Sequence, residues 1–257
     1  RSEISWSTLV LKLPDDGTGA LPLLRHVILN DAKSSTYKLG LLRALAPGKN
    51  LGVAWYRYPD EGHNSDGRHI KYLDATDSEV ARLDPELFDH LRSVTRTERS
   101  IRSLRPVLPG TRFSDIALNM MAIPPRQRRA WRANWFEQVL TDLDGCDLVF
   151  ADPDNGIVDD ADHRKGRKAF GKQMPLAEVK ALAQGRTAVI YHHNTRRKGG
   201  HGAEVDHWIK EIGAPTLAIR AKAYSCRTFF VINPDDAIIK RVHAFCAQWY
   251  IMKASLH

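Results

Sequence analysis

The chain has 257 residues, with 38 Lys and Arg against 30 Asp and Glu, a formal net charge of +8. A hydrophobic content of 43% and a charged content of 26% are those of a globular protein and exclude a disordered chain. No apolar run reaches the roughly 20 residues that a membrane span needs, and Cys146, Cys226 and Cys246 are too few and too scattered for a disulfide framework or a zinc site.

The opening Arg1-Ser2-Glu3 lacks an initiator Met and a charged-then-apolar leader, and reads as a processed end. These features together give the expectation of a cytoplasmic protein with no membrane partner. The positive balance favours a polyanion as partner. Nothing in the sequence indicates an oligomeric state.

In chain order, residues 1–20 hold a short alternating run closed by Pro14-Asp15-Asp16-Gly17, which predicts a strand or arm ahead of the main domain. Helical apolar spacing begins at Leu21 and continues through Tyr37, Leu39, Leu41, Leu42 and Leu45 to a stop at Gly48. Residues 51–56 predict a short buried strand. Asp84 and Pro85 supply an N-cap and a first helical residue for a helix through Phe88 and Leu91. A weaker strand spans 113–118, and Pro124-Pro125 opens a helix with Trp131, Trp135, Phe136, Val139 and Leu140 on one stripe.

Residues 146–151 predict a central strand, 175–183 a helix, 187–191 a buried strand and 203–212 a further helix. The stretches 216–223 and 227–233 predict an antiparallel pair, and 235–250 a closing helix. Strands alternating with helices predict an α/β fold over residues 21–257, a Rossmann-like three-layer sandwich whose mostly parallel sheet has an antiparallel edge.

Ligands of such sheets bind beyond the carboxyl ends of the strands, and three segments leave strands with polar loads. Asp152-Pro153-Asp154-Asn155-Gly156 must turn at Pro153, which predicts both carboxylates and the Asn155 amide at the sheet rim. The two carboxylates would hold a metal, or one would activate water while the other orients it, although an Asx-type turn uses the same residues. The run from His192 to His201 offers His193 for a developing anion, Asn194 for a base edge, and Arg196, Arg197 and Lys198 for phosphates. The loop after residue 56 carries Asn64, Asp66, Arg68 and His69, suited to reading a sugar or base. It holds no Gly-x-Gly-x-x-Gly or Gly-x-x-x-x-Gly-Lys-Ser/Thr pattern, and the expectation is no cofactor and no metal. Arg126, Arg128, Arg129 and Arg132 crowd one helix start, where the dipole disfavours cations; a phosphate partner would relieve them, Arg126 and Arg129 in particular.

Three stretches together, residues 31–45 with Tyr37-Lys38 and Leu41-Leu42-Arg43, 52–73, and 147–156, resemble a largely uncharacterised bacterial family over about residues 27–257. Tyr37 joins the expected substrate-binding set on this resemblance. In outline the chain is also similar to anti-phage DNA glycosylases that excise glucosylated hydroxymethylcytosine, and to the uracil-DNA glycosylase superfamily. Those enzymes place an acidic and a histidine-containing loop at the ends of parallel strands, but their His-Pro-Ser and Gly-Gln-Asp-Pro-Tyr patterns are missing here. The resemblance implies a metal-independent DNA glycosylase acting on a flipped base, and the residues themselves offer Asp152 or Asp154 and His193 as catalytic groups. Two alternatives stand beside it. Asp152-Pro153 resembles the motif of adenine methyltransferases, and Asp152, Asp154, Asp159 and Asp160 near Lys165 would suit a Mg²⁺-dependent nuclease. A catalytically silent nucleic-acid-binding module is a further reading.

Overall fold

The computed structural model describes residues 32–59, 73, 79–96, 102–222 and 226–257. The expected arm over residues 1–20 lies outside them.

The first half runs α1 (Ala32–Leu45), β1 (Leu51–Ala54), α2 (Glu79–Leu83), α3 (Pro85–Arg96), β2 (Arg112–Ser114), α4 (Arg128–Asp142) and β3 (Leu148–Ala151). An excursion follows, in which β4 (Ile157–Val158) and β5 (Met174–Pro175) pair with each other on either side of the single-turn α5 (Asp162–Lys165). The second half runs α6 (Leu176–Leu182), β6 (Thr187–His193), α7 (Gly200–Ile212), β7 (Thr216–Ala221), β8 (Arg227–Ile232), α8 (Asp236–Gln248) and β9 (Ala254–Leu256).

Seven strands form one mixed sheet in the order β2-β1-β3-β6-β8-β7-β9. Pairings from β2 to β6 are parallel, and those from β6 to β9 are antiparallel. The antiparallel part is wider than the edge pair expected. Ala254-Ser255-Leu256 is too short to carry a periodic signal, yet it docks on β7 and adds a third antiparallel pairing.

β1 and β3 are buried on both faces, as unbroken apolar runs require. Val53, Leu148 and Phe150 enter one core with Leu41 of α1, Leu87 and Leu91 of α3, and Phe245 of α8. Ala54, Val149 and Ala151 enter a second core with Trp135 and Phe136 of α4, Val179 of α6 and Val205 of α7. Helices thus cover both faces, and among the described residues none is long and apolar enough to cross a membrane.

Local chemistry sets the helix ends. Asp84 caps α3 by accepting the Leu87 N–H at 3.0 Å, and the Asp235 side chain caps α8 by accepting from Ile238. The helix expected from Pro124 starts instead at Arg128. The residue before a proline avoids the helical region, and the preceding stretch is spent on turns closed by Ile123 N–H to Met120 and Gln127 N–H to Pro124.

This topology locates the crevice. The chain leaving β1 goes on to α2 and α3 on the first face, whereas the chain leaving β3 goes on to α6 on the second. β1 and β3 are neighbours, so their carboxyl ends mark the point where successive connections diverge.

α1 and α8 meet closely at Gly40, where an added Cβ would lie 2.4 Å from ring atoms of Trp249. That ring is held by Tyr37 and Phe245 and has little room to move. Overpacking costs about 1–3 kcal/mol, against roughly 1 kcal/mol that alanine gains over glycine in a helix. Gly40→Ala is therefore expected to lower the urea midpoint with an unchanged slope, a net loss of up to about 2 kcal/mol.

Candidate functional site at the carboxyl edge of the sheet

Strand alternation decides which polar residues meet. Leu148 and Phe150 face α1, and Asp152, two residues on, follows them. On β6, Val189, Tyr191 and His193 take the same face, while Ile190 and His192 take the opposite one. On β8, Arg227 is in register with His193 and shares the face of Phe229. Lys38 reaches this group from α1.

The Lys38 Nζ lies 2.6 Å from Asp152 Oδ1 and 3.9 Å from the centroid of the Tyr191 ring. Asp152 is 1% exposed, and its Oδ2 accepts no hydrogen bond from the described residues. Burial pushes its carboxyl pKa up, against the pull of the Lys38 ammonium. Burial likewise raises the Tyr191 pKa and keeps it a phenol, against the pull of the Lys38 ammonium and the Arg227 guanidinium. The Tyr191 hydroxyl lies 3.4 Å from His193 Nδ1. In the tautomer that lets Nδ1 accept this contact, Nε2–H is the ring's donor edge. His193 is exposed at the rim, and desolvation followed by the Arg227 guanidinium lowers its pKa, so the imidazole is neutral at pH 7.

The segment after Asp152 is a turn closed by the Gly156 N–H to the Pro153 carbonyl at 3.3 Å. Only Asp154 and Asn155 are exposed on it; the expectation that both carboxylates reach the rim is corrected, because Asp152 stays inside with Lys38. Asp154 Oδ2 lies 3.5 Å from Lys172, and its charge acts on His193, opposing the lowering of that pKa. The Asn155 N–H donates to the Lys172 carbonyl at 2.8 Å. Gly156 is required twice over. Its φ is +79°, and a Cβ would sit 2.5 Å from His192 Nδ1 and 2.9 Å from the His193 nitrogen.

On the far face, His192 is wholly buried. Its Nδ1 accepts the Ile157 N–H at 3.0 Å, which leaves Nε2–H to donate to Glu204 Oε1 at 3.2 Å. Glu204 also accepts from the Thr195 N–H and hydroxyl and from the Asn194 amide. Asn194 Oδ1 accepts from Thr228 at 2.8 Å. Asn194, expected at a base edge, is therefore a buried brace; the alternation that brings His193 to the site turns its neighbours away.

The arginines of α4 divide similarly. Arg128 donates to the Ile123 and Gly166 carbonyls, and Arg132 to Glu178 and to the Phe170 and Gln173 carbonyls. Their crowding near the helix start is thus answered by protein acceptors rather than by a phosphate. Glu178 also accepts from the Tyr56 hydroxyl at 2.9 Å, just after β1, where Tyr56 holds a left-handed φ of +50°. Arg126, Arg196, Arg197 and Lys198 are exposed, and Arg129 pairs with Asp162 at 3.5 Å. Asp159 pairs with Arg164, Asp160 accepts the Ala177 N–H, and Asp162 pairs with Lys165. The acidic run that would serve a nuclease is therefore a set of local contacts.

Tyr37 lies away from the rim, 2% exposed among Phe229, Phe245 and Trp249. Its ring is the apolar face of α1, one residue from the polar Lys38. Asn64, Asp66, Arg68 and His69 lie outside the described residues. The sequence pattern does not single out Lys38, Tyr191, Arg227 or Glu204 as site residues. The signal that Lys38 and Arg227 carry is a cation inside or at the start of an otherwise apolar run.

A family model described as a domain of unknown function (DUF8808) matches residues 17–47, a stretch that includes α1 and Lys38. No curated protein matches the chain.

The brace has a pH signature. Burial would raise the Glu204 pKa, but hydrogen bonds from His192 and Thr195 outweigh it and hold the carboxyl at about 2, below the ordinary 4.5. A carboxyl with a depressed folded-state pKa contributes stability that is present above pH 4.5 and lost as pH falls toward 2. Glu204→Gln is expected to be less stable than the parent at pH 7, by up to about 3 kcal/mol. The gap should close between pH 5 and pH 2 in chemical denaturation.

Proposed function

We propose that the protein is a DNA glycosylase that excises a flipped base, a modified cytosine in phage DNA, without a metal. The observation that carries this reading is an exposed carboxylate, Asp154, and a neutral imidazole, His193, on one rim above two buried cations, Lys38 and Arg227. The rim lies at the divergence point of a sheet that we read as a Rossmann-like three-layer sandwich. We read the chain as a cytoplasmic member of the bacterial family it resembles, with DNA as its partner. Arg126, Arg196, Arg197 and Lys198 are exposed cations suited to phosphates.

Water approaches C1′ of the flipped nucleotide with Asp154 as its hydrogen-bond acceptor. The bond from C1′ to the base nitrogen breaks, its electron pair leaves with the base, and the sugar becomes oxocarbenium-like. The Asp154 carboxylate stabilises that cation and takes the proton as the water oxygen bonds to C1′. The departing base, anionic on leaving, accepts a hydrogen bond from His193 Nε2–H. The Tyr191 hydroxyl at Nδ1 orients the ring. Neutral imidazole suits this role because it still has one donor and one acceptor edge. Asn155, beside Asp154, takes a polar edge of the sugar or base. Asp152, expected as a catalytic candidate, supports the site from beneath in its pair with Lys38.

End-labelled oligonucleotides carrying plain, hydroxymethylated or glucosylated cytosine test this in excess EDTA, with half of each sample treated with hot alkali. Breaks that appear only after alkali are expected. Asp154→Asn and His193→Gln should each slow their appearance by about 10²-fold or more. Intact DNA with every substrate overturns the reading, and breaks without alkali that require Mg²⁺ replace it with a nuclease.

A further inference from the structure

Lys38 is a buried cation. It belongs to a helix whose neighbouring residues fill the core, its side chain is 10% exposed, and its ammonium lies between the Asp152 carboxylate and the face of the Tyr191 ring. Such a contact fixes Tyr191 from above, because an ammonium 3.9 Å over a ring and 2.6 Å from a carboxylate leaves the ring little freedom to tilt. Tyr191 in turn meets His193 through its hydroxyl. We propose that Lys38 is a positioning residue: held by Asp152 and seated on Tyr191, it fixes the phenol beneath His193 Nδ1 and so directs Nε2–H to the rim. The segment of unknown function that ends in α1 thereby contributes to the site itself.

The groups on His193's side are Arg227 from β8, Tyr191 from its own strand, Asp154 from the turn after β3, and Lys38 from α1; His192, on the opposite face of β6, acts on it only through its charge. A phenol donating to Nδ1 stabilises the neutral ring, since protonated imidazole has no acceptor. Loss of that contact raises the titration point of His193.

The test follows the His193 ring by NMR across pH in the full chain without DNA, the resonance being identified by its loss in His193→Gln. Lys38→Met removes the cation, and Lys38→Met with Asp152→Asn removes both charges, so that no buried carboxylate is stranded. His193 is expected to titrate about 0.5 units or more above the parent in both variants, with Lys38→Arg closer to the parent. If Lys38→Met does not fold, the double variant decides. A double variant that titrates like the parent overturns the proposal, even where its melting temperature falls or the single variant shifts, because Lys38 would then act through its charge or packing alone. The role of His193 as donor rests on the base-excision reading, but the titration does not. A shift without excision leaves the positioning and removes the glycosylase, and excision without a shift does the reverse.

Discussion

Strand geometry sorts the chemistry of this protein. Because successive side chains on a strand point to opposite faces, the ends of β3, β6 and β8 deliver their polar residues to two separate places. Asp152, Tyr191, His193 and Arg227 meet Lys38 on the α1 face. His192 and Asn194 meet Glu204 on the α7 face, where Thr228 donates to Asn194. A one-residue slip of β6 would exchange the two histidines and empty both groups at once. Gly156 helps to set that register from outside the sheet, since the turn before β4 lies against the backbone of His192 and His193 with no room for a side chain.

The buried charges obey a common rule. A charge removed from water is tolerated only where acceptors or counter-charges replace the solvent. Arg132 meets two carbonyls and a carboxylate, and Glu204 is surrounded by donors on three residues. Asp152 differs, because its Oδ2 has no hydrogen-bond donor among the described residues. This leaves an under-satisfied carboxylate at the divergence point of the sheet, in contrast to the Arg132 and Glu204 networks. Imperfect satisfaction of this kind is concentrated where proteins work rather than where they only hold together.

Much of the framework is legible in the residues. The apolar runs of β1 and β3, the Asp84-Pro85 start of α3 and the Asp235 start of α8 each carry a local physical signal that no distant contact overrides. The polar ends of β3 and β6 also point to the carboxyl edge of the sheet, where the structure gathers them. What composition does not reveal is the direction of each side chain. Asp152 and Asp154 are two residues apart and chemically identical, yet Pro153 ends the strand between them, and one is buried while the other is exposed. Arg128 and Arg129 are adjacent, and only the helical turn decides that the first meets carbonyls and the second meets solvent. Lys38 is legible only in retrospect, because its carboxylate partner lies far along the chain. β9 is too short for any periodicity to announce it.

That last strand has a consequence for the protein's behaviour in a crowded solution. Sheets with long bare rims recruit strands from other molecules, the first step toward aggregation. Here β2 and β9 stand at the two rims, and each has three residues. β9 covers half of the six-residue β7, and just beyond it the His257 ring is tied to Asp206 at 2.8 Å. Among the described residues β9 therefore acts as a selvedge: it gives the sheet a border too short to template another.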